Sequence, residues 1–159
     1  MDKEGNPDNS YLTKTIIMIE INGDWIGYYT FNEKYGDWGK DRRVPFRVTF
    51  ERGINEFIGR IFEEADYGGI DDDITIRGRQ NGDEIEFEKH YAKEHFLDEN
   101  FELVSLESDN PTIVYYKGKF DFIDNQFKGD WEIPLLHEDE DGVLHAGSDA
   151  GQWCIWREG

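Results

Sequence analysis

Residues 44–51 read VPFRVTFE and residues 84–91 read EIEFEKHY. In the first, Val44, Phe46, Val48 and Phe50 alternate with Pro45, Arg47, Thr49 and Glu51. In the second, Ile85, Phe87, Lys89 and Tyr91 alternate with Glu84, Glu86, Glu88 and His90. A period of two is the repeat of a strand, because successive Cβ atoms leave opposite faces of the pleat. Both stretches are expected to be strands with one buried and one wet face, which puts Lys89 on the inward side.

The same reading extends to Thr15 to Ile21, Trp25 to Phe31, Phe57 to Glu63, Ile74 to Gly78, Thr112 to Phe122, Phe127 to Ile133 and Gln152 to Arg157, about nine strands in total. Asn22-Gly23, Asn81-Gly82 and Asp124-Asn125 stand between them, short polar pairs of the kind that tight antiparallel hairpins require. No stretch sustains a helical period, and short turns leave no room for the crossover helices of a parallel sheet. The expectation is an all-β, antiparallel up-and-down meander of about 8–10 strands. Closing it into a barrel removes its edges, although two packed sheets would satisfy the same pattern. Ala92 to Asn110 and Leu136 to Gly151 break the rhythm and read as long acidic loops. The first carries Phe96, Phe101, Leu103, Val104 and Leu106, enough for a short helix or a lid over one barrel end. Residues 1–10 read as a flexible segment ahead of a single domain over 11–159.

At 159 residues the chain is long enough to bury a core without disulfides or a structural metal. Eleven Phe, eight Tyr and five Trp make that core aromatic, which suits large side chains on pleated strands. The formal charge of −19 disfavours direct binding to nucleic acid or to anionic membranes. It leaves nucleic-acid mimicry, blocking a basic protein, as a minor alternative. Cys154 is the sole cysteine, so neither an internal disulfide nor a cysteine metal site is expected, and a reducing, cytoplasmic setting fits best. Met1 to Ser10 lacks the apolar run of a secretory signal, and no stretch approaches the length of a membrane helix.

Gly23-Asp24-Trp25, opening GDWIGYY, resembles the Gly-x-Trp at the first barrel strand of the calycin superfamily, the lipocalin and fatty-acid-binding type of barrel. Phe57-x-Gly59, Tyr116-x-Gly118-x-Phe120 and Phe127-x-Gly129-x-Trp131 add further echoes. The late Thr-Asp-Tyr of lipocalins has only an early partial counterpart in Ala65-Asp66-Tyr67. The resemblance implies that Trp25 packs across the closed barrel end with Arg157 covering it. It also implies an interior that takes a small hydrophobic or amphipathic molecule.

Among the polar residues, Lys89 shares a face with Phe87 and Tyr91, and Glu63 with Phe57 and Ile61. A charge inside a barrel needs a partner. Lys89 therefore either anchors a ligand carboxylate, or pairs internally with Glu63 or ends its strand where both reach water, and the structural alternatives are the stronger expectation. His90, His95, His137 and His145 lack metal-ligand spacing and read as exposed loop histidines. Asp71-Asp72-Asp73 and Glu138 to Gly142 offer hard oxygens without the spacing of a calcium loop. No nucleophile elbow or phosphate-binding loop is present, and Cys154 in its apolar strand reads as an inert buried thiol.

The resulting expectation is a monomeric, non-enzymatic binding protein without cofactor or metal. Its cavity candidates are Trp25, Tyr29, Phe46, Phe50, Glu63, Phe87, Lys89, Tyr91, Tyr116 and Trp131. The alternative is a protein-interaction module with a filled barrel that recognises a protein partner through its loops or acidic surface.

Overall fold

The computed structural model describes residues 19–100, 102–107, 111–138 and 140–158, with backbone alone over 134–138 and 144–149. Alternating apolar residues form β1 (Gly23–Tyr29), β2 (Val44–Arg52), β3 (Phe57–Glu63), β4 (Ile74–Asn81) and β5 (Glu84–His90). Two short strands follow, β6 (Glu94–Leu97) and β7 (Leu103–Leu106), then β8 (Ile113–Asp121), β9 (Gln126–Glu138) and β10 (Leu144–Trp156). Eight of these close into one antiparallel barrel in the order β1-β10-β9-β8-β5-β4-β3-β2, while β6 and β7 pair only with each other. Each barrel strand lies beside its neighbour in the chain, with the β6–β7 ribbon inserted between β5 and β8. Pairing of β1 with β10, from Ile26 against Trp156 to Tyr29 against Trp153, removes the last edge.

An up-and-down chain sends alternate connections to opposite ends of the barrel, and here the two ends differ. The turns after β2, β4 and β8 are tight, and they share their end with Trp25 and the residues just before it. The Trp25 indole donates to the Ile21 carbonyl at 2.8 Å, and the Arg157 guanidinium lies 4.3 Å from the ring centroid, bonded to the Glu20 carbonyl at 2.5 Å. Inside this closed end, Phe50, Phe57 and Phe87 pack edge to face and Phe127 meets Trp25 at 5.5 Å. Each such ring, fully buried, contributes roughly 1.5–3 kcal/mol. The opposite, open end carries the long connections. These are the helical turns Glu33–Tyr35 and Gly36–Gly39, the loop after β3 with its turn Ala65–Tyr67, and the β6–β7 ribbon.

Three expectations need correction. Leu136 to Gly151 is not a long loop, because β9 and β10 pair onward from Ile133 against Asp149 to Glu138 against Leu144. The backbone ladder runs on past the end of the clear apolar alternation in the sequence. Ala92 to Asn110 holds a β-ribbon rather than a short helix, with Phe96 opposite Val104 and His95 opposite Ser105. Of the strand expected over Thr15 to Ile21, residues 19–21 are not in a strand, and the rest lies outside the described residues, as does the segment 1–10. Among the described residues no helix is long and apolar enough to cross a membrane.

Gly118 and Gly129 face each other across β8 and β9, and a Cβ on Gly129 would overlap the Lys117 carbonyl oxygen. That overlap is with main chain, which cannot rotate away. Gly129→Ala is expected to destabilise the barrel by about 3 kcal/mol in urea unfolding. Gly142→Ala, at φ +81 with open space around it, is expected to cost only about 1 kcal/mol. Equal effects of the two changes would contradict this register.

Candidate functional site

The buried face of the open half carries charge. Lys89 Nζ sits 2.6 Å from Glu63 Oε2 with both side chains almost fully buried. Strand register explains the meeting: Glu63 lies opposite Phe46 at the end of β3, and Lys89 lies opposite Ile76 on β4 and Val114 on β8. Desolvating two ions costs several kcal/mol each, which good geometry and further hydrogen bonds must offset. Glu63 has them: Oε2 also accepts the Tyr91 hydroxyl at 2.8 Å, and Oε1 accepts the Tyr29 hydroxyl at 3.1 Å and the Ile70 N–H at 3.0 Å. Lys89 donates in addition to the Tyr116 hydroxyl at 3.0 Å, and its ammonium lies 4.6–5.0 Å from the ring centroids of Tyr29, Tyr91 and Tyr116.

These contacts set the protonation state. Burial pushes the Tyr29 and Tyr91 phenols well above their ordinary value, and the Glu63 charge pushes the same way. Burial is the largest influence on Lys89 and lowers it, but the charge and hydrogen bond of Glu63 and those of Tyr116 together outweigh it and hold the ammonium above its usual range. The Tyr29 and Tyr91 hydroxyls donate to Glu63, so the donors left to this platform are Lys89 and Tyr116.

Above this platform a cleft of about 930 Å³ opens between the barrel mouth, the Glu33–Gly39 turns and the β6–β7 ribbon. Lys89, Tyr116, Tyr29 and Tyr91 line it from the barrel side. Phe31, Tyr35, Trp38 and Trp131 make one aromatic wall, with ring centroids 4.9–6.5 Å apart, and Arg42 lies 4.2 Å from the Trp38 centroid. Phe96, Leu97 and Leu103 of the ribbon, with Pro111 and Ile113, form the other wall.

Of the ten cavity candidates, Tyr29, Lys89, Tyr91, Tyr116 and Trp131 line this cleft. Glu63 stands behind Lys89. Trp25, Phe46, Phe50 and Phe87 belong to the packed core instead, where Phe87 stacks on Tyr116 at 4.7 Å. Lys89 does not stand free for a ligand carboxylate, since Glu63 already occupies it. Cys154 is 7% exposed, and burial pushes its thiol up.

His95 corrects another expectation. It is not an exposed loop histidine: its side chain is 3% exposed, with Nε2 2.7 Å from Asp72 Oδ2 and Nδ1 2.8 Å from Ser105 Oγ. His90 is half-buried against Glu88 at 2.9 Å, and the His137 and His145 side chains lie outside the described residues. Within Asp71-Asp72-Asp73, Asp73 pairs with Arg60 at 2.9 Å and Asp72 with His95 at 2.7 Å. Asp72, His95 and Ser105 carried no local motif, and reading Ala92 to Asn110 as loop hid the ribbon alternation that would have paired His95 with Ser105. No protein-family model matches this chain, and no curated protein or solved structure matches it.

Removing the ammonium while keeping the stem isolates the ion pair. Lys89→Met is expected to destabilise the protein by roughly 3–5 kcal/mol by stranding the Glu63 carboxylate. Adding Glu63→Gln is expected to recover much of that loss, because a neutral amide no longer needs a counter-charge. Thermal and urea melts of both variants make the comparison; a double variant no more stable than the single one would refute the pairing argument.

Proposed function

We propose that the chain is a ligand-binding protein of the calycin barrel type, which takes a small, uncharged, apolar or amphipathic molecule at the open mouth. The observation that carries this reading is the aromatic cleft with hydrogen-bond donors on its floor. The Arg157–Trp25 stack at the closed end supports the calycin comparison.

The chemistry of the floor narrows the ligand. Among the described residues, Lys89 donates to Glu63 and Tyr116, which leaves one ammonium N–H, and no acceptor takes the Tyr116 hydroxyl proton. Both suit a carbonyl or ether oxygen. A ligand carboxylate fits less well, since Glu63 already offsets the lysine and the whole chain carries −19. Flat aromatic rings suit walls made of Trp38, Trp131 and Phe96. The packed closed half favours a second reading, recognition of a protein by the barrel surface, under which the cleft walls would not matter.

N-phenyl-1-naphthylamine, a neutral fluorescent aromatic, is expected to bind the full chain one to one with blue-shifted emission. Trp38→Ala and Phe96→Ala are each expected to weaken it about tenfold, the loss of one ring contact. Phe122→Ala, at the far end of the barrel, is expected to leave it unchanged. Absence of binding, or binding indifferent to the two cleft variants, would overturn the proposal.

A further inference from the structure

Ser105 on β7, His95 on β6 and Asp72 just before β4 meet beside the cleft, 10 and 23 residues from one another along the chain. Because His95 and Ser105 are directly opposite in the ribbon register, their side chains leave the same face. Asp72 is fixed independently of the histidine. Its Oδ2 accepts the N–H groups of Ala92 at 3.1 Å and Lys93 at 3.2 Å, and its Oδ1 that of Asp73 at 2.7 Å. Burial raises the Asp72 carboxyl, but the His95 bond and these N–H groups outweigh it and hold it below the usual carboxylate range.

An ionised carboxylate only accepts hydrogen bonds, so Nε2 of His95 carries a ring proton, and in the neutral imidazole Nδ1 presents a lone pair. The Ser105 hydroxyl is then the donor across the 2.8 Å contact. The ring is locked in this pose by an edge contact with Tyr91, 5.1 Å between centroids. Thr112 Oγ1 holds the His95 backbone on both sides, accepting its N–H at 2.8 Å and donating to its carbonyl at 3.1 Å. Ser105 itself is exposed, whereas His95 lines the cleft. A serine hydrogen-bonded to a histidine that a buried carboxylate orients is the arrangement that activates a hydroxyl for attack.

We infer that Ser105 is a nucleophile for acyl transfer from carboxylic esters whose apolar part occupies the cleft, with His95 as general base and Asp72 as positioning residue. Ser105 Oγ bonds to the ester carbonyl carbon as its proton passes to Nδ1. The tetrahedral intermediate expels the alkoxy oxygen, which takes that proton and leaves as the alcohol. Water then attacks the acyl-serine carbon, gives one proton to Nδ1, and releases the acid as Ser105 regains its hydrogen. The apolar character of the ester rests on the proposed reading of the cleft; the reactivity of Ser105 does not.

Diisopropyl fluorophosphate, small enough to need no cleft, tests the nucleophile on the full chain. The expected result is one covalent adduct, mapped to Ser105 by peptide mass spectrometry, absent in Ser105→Ala and at least about 100-fold slower in His95→Gln. Ser105→Ala changes an exposed side chain and keeps the fold, so the test survives if His95→Gln does not fold. Long-range 1H–15N spectra read the role of Asp72: the wild type is expected to show the Nε2–H tautomer, and Asp72→Ala, which removes the acceptor that holds that proton, a mixture of the two tautomers with slower labelling. No adduct, an adduct that persists in Ser105→Ala, or equal labelling of the heat-unfolded chain would overturn the inference. Labelling without hydrolysis of p-nitrophenyl butyrate would uphold the nucleophile and count against the cleft as its ester pocket.

Discussion

The ion pair between Glu63 and Lys89 divides the barrel into two halves with different chemistry. Neither charge tolerates burial alone, and the pair persists because the hydroxyls of Tyr29, Tyr91 and Tyr116 and one backbone N–H complete its shell. On one side of it the interior is closed by rings in contact. On the other, those phenols and the ammonium face a cleft. A wholly apolar interior at this height would give an ordinary core; the polar layer instead forms a floor on which a molecule can rest.

Connectivity explains why the cleft lies where it does. An up-and-down barrel must return the chain at both ends, and here the tight returns cluster at the end that Trp25 and Arg157 cover. The longer segments, Glu33–Gly39 and the β6–β7 ribbon, accumulate at the other end. They bring Trp38 and Phe96 to the same opening from distant parts of the sequence. Loops of this kind vary without disturbing the ladder beneath them, and binding and catalytic groups concentrate on them for that reason.

Much of the barrel was legible because burial on one face of a strand leaves a mark that sequence alone displays. Val44 to Phe50 and Ile85 to Tyr91 alternate strictly, which puts Lys89 on the inner face, and Phe57 and Ile61 put Glu63 there in the same way. Where apolar alternation lapses, the mark is missing. Leu144 to Gly151 contains Gly147, Ser148 and Asp149 in no apolar order, yet its backbone continues the β10 ladder opposite β9. The Asp72–His95–Ser105 array was illegible for a related reason. Its members belong to separate elements, and a four-residue strand such as Glu94–Leu97 is too short to show a period. The division between packed core and cleft was also hidden, because Phe87 and Tyr91 share one face of one strand and differ only in their height along the barrel.

In the proposed binding mode an uncharged molecule is held at the mouth, above an intact ion pair. A crystal structure of the chain soaked with 1-bromonaphthalene, with the bromine located by anomalous scattering, is the sharpest test of that mode. A single bromine site is expected between Trp38, Trp131 and Phe96, with Lys89 still bonded to Glu63. A bromine site deep among Phe50, Phe57 and Phe87, or a Lys89 displaced from Glu63 to meet the ligand, would contradict it.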